Sequence, residues 1–169
     1  MTTLARRLAT RFGTLTVVVD RDTLGDRSAP VPGAVVASGY DLEVDDGSVR
    51  QAGQDPLLDF VAAAVADWDR GTDPDSLDRV PVAAGEGFRG QVRAALRSIG
   101  PGETITYGDL AALAGNSRAA RAAGSACASN PVAPFVPCHR VLPASGSIGQ
   151  YGFGPGMKES MLRHEGALP

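Results

Sequence analysis

The chain has 169 residues, 43% of them hydrophobic, with 16 Lys+Arg against 19 Asp+Glu and a formal net charge of −3. This is material for one ordinary domain or two small ones, and no stretch approaches the roughly 20 apolar residues of a membrane-spanning helix. Two cysteines and two histidines exclude a disulfide framework and a zinc spacing, so no metal is expected. Charge is uneven: residues 1–85 carry 8 Lys+Arg against 14 Asp+Glu, net −6, and residues 86–169 carry 8 against 5, net +3. Residues 1–12 hold arginines without an apolar run or cleavage site, so no secretory leader is expected and the default location is cytoplasmic.

In chain order, residues 14–20 (TLTVVVD) are β-branched and compact, and residues 33–41 (GAVVASGYD) form a second strand candidate that should pair with them. Asp45-Asp46-Gly47 is placed as a turn. From Pro56 the period becomes helical through Leu57, Leu58, Val61, Ala62, Val65 and Trp68, with Pro in a first-turn position and Trp68 as a core anchor. Residues 69–87 are rich in Gly, Pro and Asp, with a short strand at 80–82, and the domain boundary is placed near Ala84. The expected domains are therefore 1–84 and 85–169.

The second half opens with Phe88, Val92, Ala95, Leu96 and Ile99 at helical spacing, stopped by Gly100-Pro101-Gly102. Thr106 can cap a helix from Tyr107 to about Ala114, with Leu110 and Leu113 inward. After the turn at Gly115-Asn116-Ser117, a helix over 118–129 completes a helix-turn-helix pattern. That helix is nearly bare of bulk except for Arg118 and Arg121. Small residues such as Ala119 and Ala120 let it lie against a narrow groove, and a lone Arg can enter a base stack; tight packing in a core is the alternative.

Residues 131–142 are an apolar run holding Pro137-Cys138-His139-Arg140-Val141. A thiol with a cation or base beside it becomes a better nucleophile. In an extended segment Cys138 and His139 point to opposite faces, so activation by His139 needs a water between them. Otherwise Cys138 is a small buried hydrophobe and His139 a satisfied core histidine. A Gly-rich loop containing Tyr151 follows, then a helix over about 157–165 with Met157, Met161 and Glu165 on one face. A carboxylate on an apolar stripe needs a partner, and His139 is the natural one; otherwise Glu165 frays into water at the helix end.

The Tyr after a helix cap, the small-residue helix with Arg121 seventeen residues before Cys138, Asn130-Pro131, PCHRV, the Gly-rich loop and the terminal Glu resemble the O6-alkylguanine-DNA alkyltransferases. The likeness is close over 88–166 and looser before, where Phe12-Gly13-Thr14-Leu15-Thr16 looks like the family's opening strand. It implies an α+β fold, a small N-terminal mixed α/β, ribonuclease H-like domain followed by a mainly helical, winged helix-turn-helix-like domain. It implies a suicide repair reaction in which Cys138 takes the alkyl group from O6 of guanine, or from O4 of thymine, and keeps it, without a cofactor.

By the same resemblance Glu165, His139 and a water make Cys138 thiolate, Tyr107 protonates the departing guanine and favours rotation of the nucleotide, and Asn130 braces the turn before the reactive segment. Arg121 fills the gap left by the flipped base, with Arg118, Ala119, Ala120 and Tyr107 also on the DNA. Val141, Tyr151, Gly152 and Phe153 line the guanine pocket. The implied partner is double-stranded DNA bearing alkylated guanine, met through the minor groove by a monomer, with no membrane. Two departures stand out: Arg93 follows Val92 where a Trp is usual, and Phe153 sits at the pocket rim. Three competing readings are a winged-helix regulator, a Cys-His-Glu hydrolase and a lesion-binding relative that does not repair, though the last replaces the Cys.

Overall fold

The computed structural model describes residues 2–44, 50–51 and 54–169. By contacts the chain divides into a unit of residues 1–83 with 131–135, and a unit of residues 84–130 with 136–169.

In the first unit β1 (Thr3–Thr10) and β2 (Gly13–Asp20) form an antiparallel hairpin in the register Thr10↔Gly13 to Thr3↔Asp20. Antiparallel β3 (Ala34–Gly39) adds to β2, and parallel β4 (Arg50–Gln51) adds to β1, for the order β3-β2-β1-β4. The β2–β3 ladder shifts register between Val18 and Val19. Leu15, Val17 and Val19 are fully buried, with Thr16 and Val18 nearly so; β2 is therefore the covered strand of this sheet.

Helix α1 (Pro56–Arg70) starts where the Asp55 carboxylate accepts the amide hydrogens of Leu57 (3.0 Å) and Leu58 (2.9 Å), a side-chain N-cap with proline at the first turn. It ends at Gly71, whose φ of 71° is the left-handed conformation that glycine adopts without penalty. Leu57, Leu58, Val61, Ala64, Val65 and Trp68 are buried, so Ala64 takes the inward place expected of Ala62. Trp68 packs against Phe12 at 5.3 Å between centroids. Residues 131–135 also belong to this unit: the Ser38 amide donates to the Pro131 carbonyl (2.8 Å) and its hydroxyl to the Ala133 carbonyl (2.7 Å).

The second unit contains α2 (Gly87–Leu96), β5 (Ile105–Thr106), α3 (Tyr107–Leu113), α4 (Ala120–Ala128), a 3-10 turn at Cys138–Arg140, β6 (Val141–Leu142) and α5 (Pro155–His164). Strands β5 and β6 pair in parallel, Ile105 with Val141 and Thr106 with Leu142. The Thr106 hydroxyl caps α3 by accepting from the Asp109 amide.

Several expectations change. Strand β1 had no counterpart in the sequence reading. Leu113 is 59% exposed rather than inward, and Ala111 and Ala114 fill the core side of α3. Helix α4 begins at Ala120, leaving Arg118 and Ala119 in the turn before it. The segment at Cys138 is not extended, because the Arg140 amide bonds back to the Pro137 carbonyl (3.0 Å) and closes a 3-10 turn. The turn expected at 45–47 lies outside the described residues. Among the described residues no helix is long and apolar enough to cross a membrane, and no cluster of three or more His, Cys, Asp or Glu could hold a metal.

Candidate functional site

The 3-10 turn at Cys138–Arg140 spreads three consecutive side chains about one third of a turn apart. Proline at 137 starts the turn, and β6, paired to β5, ends it. Cys138 therefore points away from the group that His139 and Arg140 meet, although all three residues are buried, at 7%, 0% and 1% exposure.

His139 and Arg140 turn toward Glu165, the residue just past the end of α5. His139 Nε2 lies 3.0 Å from Glu165 Oε2, Arg140 Nε donates to the same oxygen at 3.0 Å, and Arg140 Nη2 donates to Oε1 at 2.9 Å. Arg140 Nη1 also donates to the Ile99 carbonyl. A carboxylate at a helix C-terminus faces the unfavourable end of the helix dipole, so two cationic or donor partners are what keep it there. Burial pushes the Glu165 carboxyl up, but the charges and hydrogen bonds of His139 and Arg140 outweigh burial and hold it well below the usual carboxylate range. An ionised carboxylate has no proton to give, so His139 Nε2 carries the hydrogen between them. In the neutral ring that leaves Nδ1 as the acceptor, and Nδ1 is buried without a hydrogen-bond partner among the described residues.

Cys138 meets a different set. Asn130 Nδ2 donates to Cys138 Sγ at 3.3 Å and to the Val136 carbonyl at 2.8 Å, tying the end of α4 to the start of the turn. Burial raises the Cys138 thiol above its ordinary value of 9.0, and the Asn130 hydrogen bond and the charge of Lys158 oppose that rise. Lys158 is fully buried and donates to the Gln150 carbonyl at 3.2 Å. Burial lowers its pKa. A thiolate formed here has one amide donor and one ammonium close by.

The thiol opens on a pocket of about 230 Å³ lined by Tyr107, Gly124, Cys127, Ala128, Cys138, Gln150, Tyr151 and Gly152. Gly124 faces the Tyr107 ring, where a Cβ would lie at 3.7 Å, an ordinary van der Waals contact. Burial raises the Tyr107 hydroxyl, and charge on the two cysteines adds to the rise; Tyr107 therefore holds its proton firmly. Tyr151 stands edge-on to His139 at 6.4 Å and donates its hydroxyl to Met161 Sδ at 3.7 Å.

Of the residues singled out in sequence, Cys138, Tyr107, Tyr151 and Gly152 meet at the pocket, with Asn130 bonded to the thiol and the His139–Glu165 pair formed. Val141 and Phe153 do not line it: Val141 is buried in β6, and Phe153 braces Tyr151 edge-on at 5.5 Å. Arg118 and Arg121 are exposed, and Ala119 and Ala120 are partly so. Sequence reasoning missed the Arg140 clamp, Cys127 and Lys158. Lys158 had a signal, since it falls three and four residues before buried Met161 and Leu162 and so shares their face.

A mixed α/β protein with a small sheet, in which one of two thiols sits on a tight turn beside an imidazole–carboxylate pair and opens on a pocket, belongs to the class equipped for nucleophilic attack by sulfur. Residues 87–167 match the family described as 6-O-methylguanine DNA methyltransferase, DNA binding domain. The human methylated-DNA-protein-cysteine methyltransferase is 39% identical over 133 residues, 74% of this chain and 63% of the human protein. The protein of the same name from Salmonella typhimurium is 40% identical over 115 residues, 68% of this chain and 62% of that protein. This chain thus spans a little under two thirds of the length of these relatives. The crystal structure of Mycobacterium tuberculosis O6-methylguanine methyltransferase matches with a TM-score of 0.74 at 27% identity, over 98% of this chain and 94% of that one. Residues 87–167 thus carry the DNA-binding domain of the O6-alkylguanine-DNA alkyltransferases.

Proposed function

We propose that this protein repairs DNA by moving an alkyl group from O6 of guanine, or O4 of thymine, to Cys138, one group per molecule. The observation that carries this is the His139 ring, bonded through Nε2 to Glu165 with buried Nδ1 lacking a partner, one residue from a thiol at the floor of the pocket. A water between Nδ1 and Cys138 Sγ passes the thiol proton to the ring, and the Glu165 carboxylate stabilises the imidazolium. Asn130 and Lys158 stabilise the thiolate. The sulfur displaces the alkyl carbon from oxygen in line, and Tyr107 gives its proton to the departing base, which leaves neutral. A thioether is a poor leaving group, so the protein is consumed. The whole exchange is bond-for-bond at carbon and needs no cofactor.

Helices α3 and α4 serve as a winged helix-turn-helix laid in the minor groove. The small residues of α4 permit close approach, Arg118, Ala119 and Ala120 contact the strand, and Arg121 fills the space of the flipped nucleotide, lowering the unstacking cost. Solved relatives support the DNA partner, among them the M. tuberculosis protein crystallised in complex with DNA, with a TM-score of 0.72 over 96% of this chain and 92% of that one. The first unit, ribonuclease H-like in plan, supports the second. The protein acts as a monomer in the cytoplasm, where reducing conditions suit its two free thiols.

The test is intact-protein mass after incubation with a duplex carrying O6-methylguanine. One methyl increment that saturates at one per protein and is absent in Cys138→Ala establishes the reaction. No increment with binding retained would move the function to lesion recognition or regulation.

A further inference from the structure

The pocket holds two thiols. Cys127, near the end of α4, lines the same cavity as Cys138, is only 8% exposed, and makes no hydrogen bond through its sulfur among the described residues. Burial first, then charge on Cys138, pushes the Cys127 thiol up to about 12, and Lys158 opposes the rise. Alkylation of Cys138 changes this balance. The sulfur becomes a neutral thioether, the anion that disfavoured a second thiolate is gone, and the opposing charge of Lys158 remains.

We propose that Cys127 is a second acceptor, which captures the far end of a bifunctional alkyl group delivered to Cys138. The substrates are O6-(ω-haloalkyl)guanines, lesions whose alkyl chain carries its own leaving group. This rests on the alkyl-transfer reading above. In the first step the Cys138 sulfur bonds the proximal carbon, the carbon–oxygen bond breaks, and guanine departs protonated. In the second step the Cys127 sulfur bonds the distal carbon, the carbon–halogen bond breaks with its electron pair leaving as halide, and the thiol proton goes to solvent. The product is a bis-thioether bridge between α4 and the 3-10 turn. No oxidant or cofactor enters, and no second electrophile is left to react with the DNA strand.

The test uses the full chain and a duplex containing O6-(6-bromohexyl)guanine, whose chain is too long to close readily on the Cys138 thioether itself, read by intact mass and by iodoacetamide labelling after unfolding. The chain has two cysteines, so unreacted protein takes two labels, singly alkylated protein one, and bridged protein none. The expected product has lost hydrogen bromide and takes no label, whereas Cys127→Ala keeps its bromine or exchanges it for hydroxyl. Protein alkylated on Cys138 whose Cys127 still labels would overturn the second acceptor and leave single transfer intact; this comparison needs no variant. Loss of hydrogen bromide with one label remaining would place the capture on another group and also overturn it. Protein that gains no mass at all would overturn the alkyl-transfer reading itself.

Discussion

Arg140 grips both carboxylate oxygens of Glu165, at 3.0 and 2.9 Å, while His139 shares one of them. The residue after His139 thus fixes the carboxylate to which His139 is bonded. Removing the guanidinium takes two hydrogen bonds from a carboxylate at 1% exposure and one from the Ile99 carbonyl. Arg140→Met is expected to cost roughly 3–5 kcal/mol, the usual penalty for breaking a buried ion pair from one side; urea unfolding at pH 7 measures it.

The same pair predicts acid sensitivity. Glu165 is held well below its ordinary 4.5, so the folded state binds its proton less readily than the unfolded chain. Its contribution is complete above about pH 4.5 and is lost as pH falls from there toward the folded value. Glu165→Gln should flatten the stability profile over that acid range, and an unchanged slope would contradict the linkage.

Activity should respond in the opposite pH direction. The Cys138 thiol is raised by burial, so without the relay its thiolate is scarce at neutral pH and grows only as pH climbs. Transfer by Glu165→Gln is expected to be slower by about 10²-fold at pH 7, the lower range of general-base contributions, with the gap to wild type narrowing in alkali. Single-turnover rates across pH give the comparison.

Asn130 touches both the thiol and the chain that presents it. Asn130→Ala removes a donor that favours the thiolate, so the Cys138 ionisation should move further up and iodoacetamide labelling of the folded protein should slow at fixed pH. The Val136 carbonyl loses one donor but keeps the Cys138 amide, so the added stability cost is roughly 0.5–1.5 kcal/mol.

Arg121 separates DNA handling from chemistry. It is exposed, so Arg121→Ala should alter stability by less than about 0.5 kcal/mol. Transfer from duplex should fall by about tenfold or more as part of the unstacking cost returns, with transfer from free O6-benzylguanine unchanged. Equal losses on both substrates would assign Arg121 to the pocket instead.

Much of the second unit was legible from local chemistry. Thr106 could be read as a cap because its hydroxyl reaches the third amide, and Glu165 could be matched to His139 because the helical period carried a carboxylate onto the face of Met161. What stayed hidden depended on burial that no local pattern carries. Arg140 and Lys158 are charged residues, which default to solvent, and only the fold encloses them. Strand β1 was missed because Arg6 and Arg7 interrupt any apolar alternation; Ala5 alone among its residues is buried. Leu113 was assigned inward from spacing, but α3 ends there and the chain turns away at Gly115, leaving the side chain at the surface. Phe153 was placed at the pocket rim from its position beside Tyr151, whereas its ring acts on the pocket through that tyrosine.

The five residues 131–135 complete the first unit although they are encoded inside the second. Ser38 is buried, and its amide and hydroxyl find their carbonyls only on Pro131 and Ala133. On the ribosome, therefore, the sheet emerges long before its last hydrogen-bond acceptors exist. Its native bonding waits until synthesis has passed residue 135, after α2, α3 and α4 have been made. Cutting the gene near residue 84 would divide the polypeptide without dividing the fold: the early piece would carry Ser38 with unmet donors, and the late piece an apolar strip at Val132, Ala133 and Phe135 with nothing of its own to cover it.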